Sequence, residues 1–316
     1  MNDNFNPTKQ DLFLLNWLLL IFILVVAMII IGGITRITDS GLSMVEWRPF
    51  LGFLPPLNNQ EWERVFDLYK NTPEYSFYNK GMLLSEFKFI FFWEYFHRLW
   101  GRIIGIVFII PFIYFIVTKK IDKFITVRLL VILFFGSLQA FIGWWMVKSG
   151  LIDKPDVSQY RLAIHFGNSL LILFLLFWLI LDLKYKKSRI KFDLNLIIFF
   201  IIFVTIIAGS LVAGMDAGLM YNTYPLMNDS FFPSDYLSLG LLDPFENPGS
   251  AQFHHRHLGF ISLVAIGIFF VKNFYHKKVF IELIFLIAFI IVQFVLGVYI
   301  LLNYVPNLNA SLHQIG

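Results

Sequence analysis

Long apolar runs alternate along this chain with short polar ones, and the runs have the length of a membrane crossing. Residues 12–33, 89–117, 124–147, 160–181, 194–214, 252–271 and 279–302 are each predominantly apolar, and a helix needs about 20 such residues to span the hydrocarbon core. Seven transmembrane helices are predicted, and with them an all-α integral membrane protein. Composition agrees: 58% of the 316 residues are hydrophobic and 15% are charged, too little polar surface to cover a water-soluble globule. The first run is too long for a signal peptide and lacks a basic leader and a small-residue cleavage pattern; residues 1–10 hold no arginine, unlike an organelle transit peptide. A bacterial inner membrane is the expected location.

Basic residues gather in alternate loops. Lys119, Lys120 and Lys123 follow the second run, Lys184, Lys186, Lys187, Arg189 and Lys191 the fourth, and Lys272, Lys277 and Lys278 the sixth. The positive-inside bias places these loops and the N-terminus in the cytoplasm. That bias accounts for the net charge of +4, so charge gives no reason to expect a nucleic-acid partner. The long loops 34–88 and 215–251 then face the periplasm. With no cysteine in the chain, disulfides, thiolate metal sites and thiol chemistry are excluded.

The chain repeats itself. Gly32, Asp39 and Gly41 match Gly209, Asp216 and Gly218 at one offset of 177 (209 − 32, 216 − 39, 218 − 41). Glu94-Tyr-Phe-His97-Arg98-Leu-Trp-Gly101 matches Gln252-Phe-His-His255-Arg256-His-Leu-Gly259 at 158 (255 − 97), and Gln139-Ala-Phe-Ile-Gly143 matches Gln293-Phe-Val-Leu-Gly297 at 154 (293 − 139). Spans one, two and three thus pair with five, six and seven. Four spans per repeat is an even number, so the halves, 1–183 and 184–316, should share one orientation about an axis along the membrane normal. His165, near the start of span four, pairs with His313 in Ala310-Ser-Leu-His313. On that pairing His313 belongs at the outer end of an eighth span missing from this chain; otherwise the protein has seven spans and His313 lies in a loose tail.

Four histidines in register suggest a cofactor. Polar side chains at membrane depth are costly and mark functional sites. His97 lies nine residues beyond Lys88, about 13 Å along a helix, and His165 is also near the outer end of its span. His255 and His313 take comparable places in the other half. Each half then presents two imidazoles inside a four-helix bundle, the ligand set of a six-coordinate haem. His254 and His257 point away from His255 on an ideal helix, toward the loop or a carboxylate, and His276 reads as a solvated loop residue. Arg98 and Arg256 either clamp haem propionates or snorkel to the interface. Glu94 stands one turn before His97 on the same face and either handles protons or orients that histidine; the second half has Gln252 there. A di-iron carboxylate site would need a second Glu-x-x-His motif and further glutamates. Aromatic residues reach 19%, which suits a flat apolar ligand and equally lipid-facing packing. The loop 34–88, with Asp39, Trp47, Pro49, Pro55 and Pro56, reads as a lid over the first site or as packing.

Gly-Gly-Ile-Thr-Arg-Ile-Thr-Asp-Ser-Gly-Leu-Ser-Met (32–44), Glu-Tyr-Phe-His-Arg-Leu-Trp-Gly-Arg (94–102), Gln-Phe-His-His-Arg (252–256) and Leu-His-Gln (312–314) together resemble the haem A synthase family, and specifically its cysteine-free subgroup of proteobacteria and mitochondria. The resemblance runs from about residue 30 to the end. It implies eight helices in two pseudo-symmetric four-helix bundles, with the eighth missing here, and an oxidoreductase that turns the C8 methyl of haem O into the formyl group of haem A, through two hydroxylations and a geminal diol, for haem-copper terminal oxidases. Carried onto this sequence, it implies that His255 and His313 ligate a bound b-type haem, that His97 and His165 ligate the substrate haem, and that Glu94 is the catalytic carboxylate. The partners it implies are haem O, the bilayer and a membrane farnesyltransferase that hands haem O over, with self-association left open. A diheme electron-transfer cytochrome would use the same histidines without needing Glu94, and a transporter built on such a repeat would hold no haem.

Overall fold

A computed structural model describes residues 9–47, 52–152, 155–185, 192–275 and 280–316. His276 and Pro49, with Lys186, Lys187, Arg189, Lys191, Lys277 and Lys278, lie outside the described residues. The spanning helices are α1 (Lys9–Ile37), α4 (Leu84–Val117), α5 (Lys123–Gly150), α6 (Gln159–Tyr185), α7 (Leu194–Gly214), α9 (Pro248–Asn273) and α10 (Phe280–Leu302). Among the described residues these are the seven helices long and apolar enough to cross a membrane.

Several outrun the apolar runs that announced them, because a polar residue beside each run satisfies the first free N–H groups of a helix. Asp122 accepts from the Ile125 N–H at 2.7 Å ahead of α5, and Asn247 accepts from the Ser250 N–H at 3.3 Å ahead of α9. Four shorter helices were not expected from periodicity. They are α2 (Asn59–Lys70) and α3 (Pro73–Phe77) in the first outer loop, α8 (Asp243–Glu246) in the second, and α11 (Asn307–Ile315) around His313.

The chain divides into two compact units, Met1–Arg189 and Ile190–Gly316. In the first, α1 packs on α4 and α6, α5 packs on α6, and α4 packs on α5, closing a ring of four helices. Leu18, Ile21, Phe115, Leu129, Leu176 and Leu179 centre its apolar core. That core fills the bundle end away from the histidines: Phe108 in the same cluster lies 11 residues past His97 on α4, about 16 Å. Indole N–H groups tie α1 to α4, from Trp17 to the Val107 carbonyl at 2.8 Å and from Trp100 to the Leu24 carbonyl at 2.9 Å. A second aromatic cluster, Phe66 and Tyr69 of α2 with Phe87 and Phe91 of α4, fixes the outer loop to the outer half of α4. In the second unit α9 packs on both α7 and α10, and α10 on α11.

Candidate functional site

Each of the four repeat histidines lies in a notch made by a glycine on a neighbouring helix. A Cβ at Gly32 of α1 would stand 3.1 Å from Cε1 of His97 on α4, and one at Gly143 of α5 would stand 3.0 Å from Cε1 of His165 on α6. In the second unit the values are 2.8 Å for Gly209 of α7 against His255 on α9, and 3.0 Å for Gly297 of α10 against His313 on α11. Only a residue without a side chain lets an imidazole lie flat on the adjoining backbone. These glycines are the ones the internal repeat aligns, so the repeat encodes ring seats as well as the histidines.

The glutamines of the repeat hold the same residues by their backbone. Gln139 Nε2 donates to the His165 carbonyl at 3.0 Å and Gln293 Nε2 to the His313 carbonyl at 2.9 Å. The Gln139 amide also lies 3.3 Å from both ring nitrogens of His165, and its oxygen accepts from Asn168 at 2.5 Å. Glutamine and glycine one turn apart thus grip one histidine at two points.

Within each unit the histidines form pairs. His255 and His313 have ring centroids 6.3 Å apart with planes at 75°. Two imidazoles sharing one metal at about 2 Å each would hold their ring centres about 6 Å apart, so the pair fits a single metal between them. His255 Nδ1 lies 3.1 Å from the Thr205 carbonyl; a carbonyl only accepts, so Nδ1 carries the proton and Nε2 keeps its lone pair. His313 Nδ1 is buried without a hydrogen-bond partner. In the first unit His97 and His165 are close enough for charge on one to act on the other. Among the described residues no group of three or more His, Asp or Glu could hold a bare metal ion. Paired axial imidazoles without such a cluster suit a metal that brings its own equatorial ligands, as a porphyrin does.

Beside His97, Glu94 is 3% exposed and accepts hydrogen bonds from the Ser43 hydroxyl at 2.8 Å, the Met44 N–H at 2.7 Å and the Arg98 guanidinium at 2.5 Å. Arg98 also donates to the carbonyls of Met44 at 3.1 Å and Glu46 at 3.3 Å. The second unit keeps the pattern. Arg256 donates to the Gln252 side-chain oxygen at 3.1 Å and to the carbonyls of Tyr221 at 2.6 Å and Thr223 at 2.8 Å. Tyr221 and Thr223 match Met44 and Glu46 at the repeat offset of 177 (221 − 44, 223 − 46). Both arginines therefore hook the outer loop onto the histidine helix, a role that neither propionate binding nor snorkelling anticipated. Glu94 likewise bonds to the loop and Arg98, so its hydrogen bonds in this structure are not directed at His97.

His254 and His257 meet the loop: His254 packs 5.8 Å from the Tyr236 ring, and His257 packs 5.3 Å from Phe231 while its Nδ1 lies 2.8 Å from the Phe253 carbonyl. The structure thus brings together Glu94, His97, Arg98 and His165 in one unit and Gln252, His255, Arg256 and His313 in the other. Sequence reasoning missed Ser43, the Met44 N–H and the gripping roles of Gln139, Gln293 and the four glycines. All but Ser43 and Met44 were visible as matches between the halves.

Fold and site define an all-α, multi-pass membrane protein built from a repeated unit that presents paired histidines. Residues 15–316 match the family described as cytochrome oxidase assembly protein. The chain is 44% identical over 270 residues to a protein named haem A synthase from Nitrosospira multiformis, covering 81% of this chain and 75% of that one. It is 44% identical over 307 residues to the haem A synthase of Wolbachia pipientis from Culex pipiens, covering 95% and 92%, and 43% identical over 310 residues to that of Pelagibacter ubique, covering 95% and 91%. The chain belongs to the haem A synthase family of cytochrome oxidase assembly proteins.

Proposed function

We propose that this protein is an oxidoreductase that makes haem A, converting the C8 methyl of haem O to a formyl group in the bacterial inner membrane, with its haem sites toward the periplasm. The observation that carries this reading is the difference between two otherwise matching frames: a buried carboxylate, Glu94, stands beside the His97–His165 pair, and an amide, Gln252, stands in its place beside His255–His313. On this reading His97 and His165 hold the substrate haem, and His255 and His313 hold a resident b-type haem. That haem, when bound, supplies one-electron transfer.

The remaining work falls to the chain. Glycine seats and glutamine grips fix the imidazoles before the substrate arrives, so little ordering is left for binding. Glu94 takes up the proton released as the substrate is oxidised, and three donors already aimed at its oxygens hold the carboxylate in place for that task. The segment that supplies Ser43 and Met44 also covers Glu94 and keeps bulk water from it. Arg98 and Arg256 hold that cover in place.

The test is haem extraction from membranes of a host without its own haem A synthase, expressing this chain or Glu94→Ala. Haem A with the wild type, and haem O accumulating with the variant, supports the proposal. Normal haem A with the variant, or bound haem without any haem A from the wild type, overturns it; the latter is the outcome for an electron-transfer cytochrome.

A further inference from the structure

Three buried carboxylates stand out on the outer side, and two are fully engaged. Glu94 has its three donors, and Asp243, 0% exposed, accepts from the Leu237 N–H at 2.9 Å, the Leu239 N–H at 3.2 Å and the Ser250 hydroxyl. The third is Glu74, in the first turn of α3. It is 5% exposed, and its Oε2 is buried without a hydrogen-bond partner. A buried carboxylate left this way is costly unless it carries a proton.

Its surroundings give that proton a path. The Tyr69 ring is 0% exposed and packs 5.1 Å from Phe87 of α4. Phe87 is seven residues before Glu94 on the same helix, about 10 Å further out. The Tyr69 oxygen accepts from Asn79 Nδ2 at 2.7 Å, which leaves its own O–H proton to donate, and the Glu74 carboxyl stands beside it. Tyr75 of α3 packs against the same Tyr69 ring at 5.9 Å. Glu94 of α4, Asp39 in the turn after α1 and Asp156 ahead of α6 all act on Glu74 with the sign that favours its protonated form.

We propose that Glu74 and the Tyr69 hydroxyl form a proton-exchange station between the Glu94 site and water on the outer side. The proposal rests on reading Glu94 as the proton acceptor of the reaction. Glu74 first releases its proton outward and becomes a carboxylate. The proton on Glu94 then passes through the Tyr69 hydroxyl, which gives one proton as it receives another; Glu94 returns to the carboxylate and Glu74 to the acid. Burial pushes the Glu74 carboxyl up to about 8, so it can both hold and release a proton near neutral pH.

The test uses the full chain in membranes with haem O supplied, comparing the wild type with Glu74→Gln and Tyr69→Phe. Infrared spectroscopy of the wild type should show a protonated carboxyl at neutral pH that titrates away above about 8 and is absent from Glu74→Gln. Haem A formation should fall on the order of a hundredfold in Glu74→Gln and by a smaller factor in Tyr69→Phe, with the haem absorption spectra of both variants unchanged. Absence of that band from the wild type, or a wild-type rate and pH profile in Glu74→Gln, overturns the station while leaving Glu94 in its role. Failure of the wild type itself to form haem A overturns the reading of Glu94, and the station with it.

Discussion

The two units use one frame for opposite polarities. In both, an arginine directly after the histidine reaches the carbonyls of the same two repeat positions, Met44 and Glu46 in one and Tyr221 and Thr223 in the other. Three residues before the histidine the units part. Glu94 only accepts, from a hydroxyl, a backbone N–H and a guanidinium. Gln252 accepts from Arg256 but donates its Nε2 to the carbonyls of Gly218 at 3.3 Å and Tyr221 at 3.2 Å. The loop over the first unit is thus built to hold a negative charge, and the loop over the second to hold none. The arginine and the ring seats form the shared scaffold, and one side chain separates a unit with an acid from one without.

The comparison is broken most severely by removing ligands. His255→Ala should abolish the resident haem's absorption bands while leaving haem O able to bind, and His97→Ala should do the reverse; visible spectra of the purified variants, with and without added haem O, are the check. A variant in either unit that left both haem populations intact would sink the pairing of histidines within units.

Next in size is an exchange at the position where the units differ. Glu94→Gln gives the first unit the frame of the second and should lower haem A formation by about 10²–10⁴, with the resident haem spectrum unchanged. Gln252→Glu should leave the chemistry in place but turn a carboxylate toward the Gly218 and Tyr221 carbonyls. Its cost should appear as about 1–3 kcal/mol of lost stability in thermal unfolding followed at the haem bands. Equal effects of the two exchanges on haem A formation would remove the distinction between the units.

Much of this was legible before any coordinates. The seven spans follow from apolar length alone, and His97, His165, His255 and His313 emerged from the internal match because a repeat keeps both the residue and its depth. What sequence could not supply was partnership across the fold. Arg98 reaches the Met44 carbonyl 54 residues away in the chain, and any residue offers a carbonyl, so nothing in composition marks that contact. Ser43 was hidden for a related reason: its repeat mate is Met220, so the search for similarity passed over the place where the units differ. The helix α2 escaped because its apolar face is short and interrupted, and it becomes evident only when Phe66 and Tyr69 are seen packed on Phe87. Around His313, the choice between an outer span end and a loose tail gives way to a nine-residue helix whose N-terminal side follows Pro306, a residue that fits the start of a helix because it lacks an N–H there.

The ring seats sharpen the comparison further. Gly209→Ala sets a methyl 2.8 Å from His255 Cε1, closer than the ring can tolerate in place, whereas Gly32→Ala sets one 3.1 Å from His97 Cε1, where a small shift suffices. Overpacking of this kind costs about 1–3 kcal/mol. Haem retained per protein after purification should therefore fall further for Gly209→Ala than haem O binding does for Gly32→Ala. The opposite ranking would mean that the seats do not hold the rings in the ligating position.

The smallest expected effect separates the outer loops. Glu74 in the first is a buried acid with an unpartnered oxygen, and Asp243 in the second is a buried acid whose oxygens are bonded. Burial raises the Glu74 carboxyl from 4.5 to about 8, so between those values the folded protein holds a proton that the unfolded chain has released. Stability from this group is then fully present below about 4.5 and declines as the pH rises toward 8, since folding is disfavoured wherever the folded state must give up a proton it binds more tightly. Glu74→Gln keeps the shape of the protonated acid and has nothing to titrate, so its unfolding midpoint should lose this slope and exceed that of the wild type at the alkaline end. Asp243→Asn should instead lower the midpoint without flattening that window, because the Leu237 and Leu239 N–H groups lose a charged acceptor. Parallel wild-type and Glu74→Gln curves across the window would show that Glu74 is already ionised in the folded protein, and the contrast between the two loops would disappear.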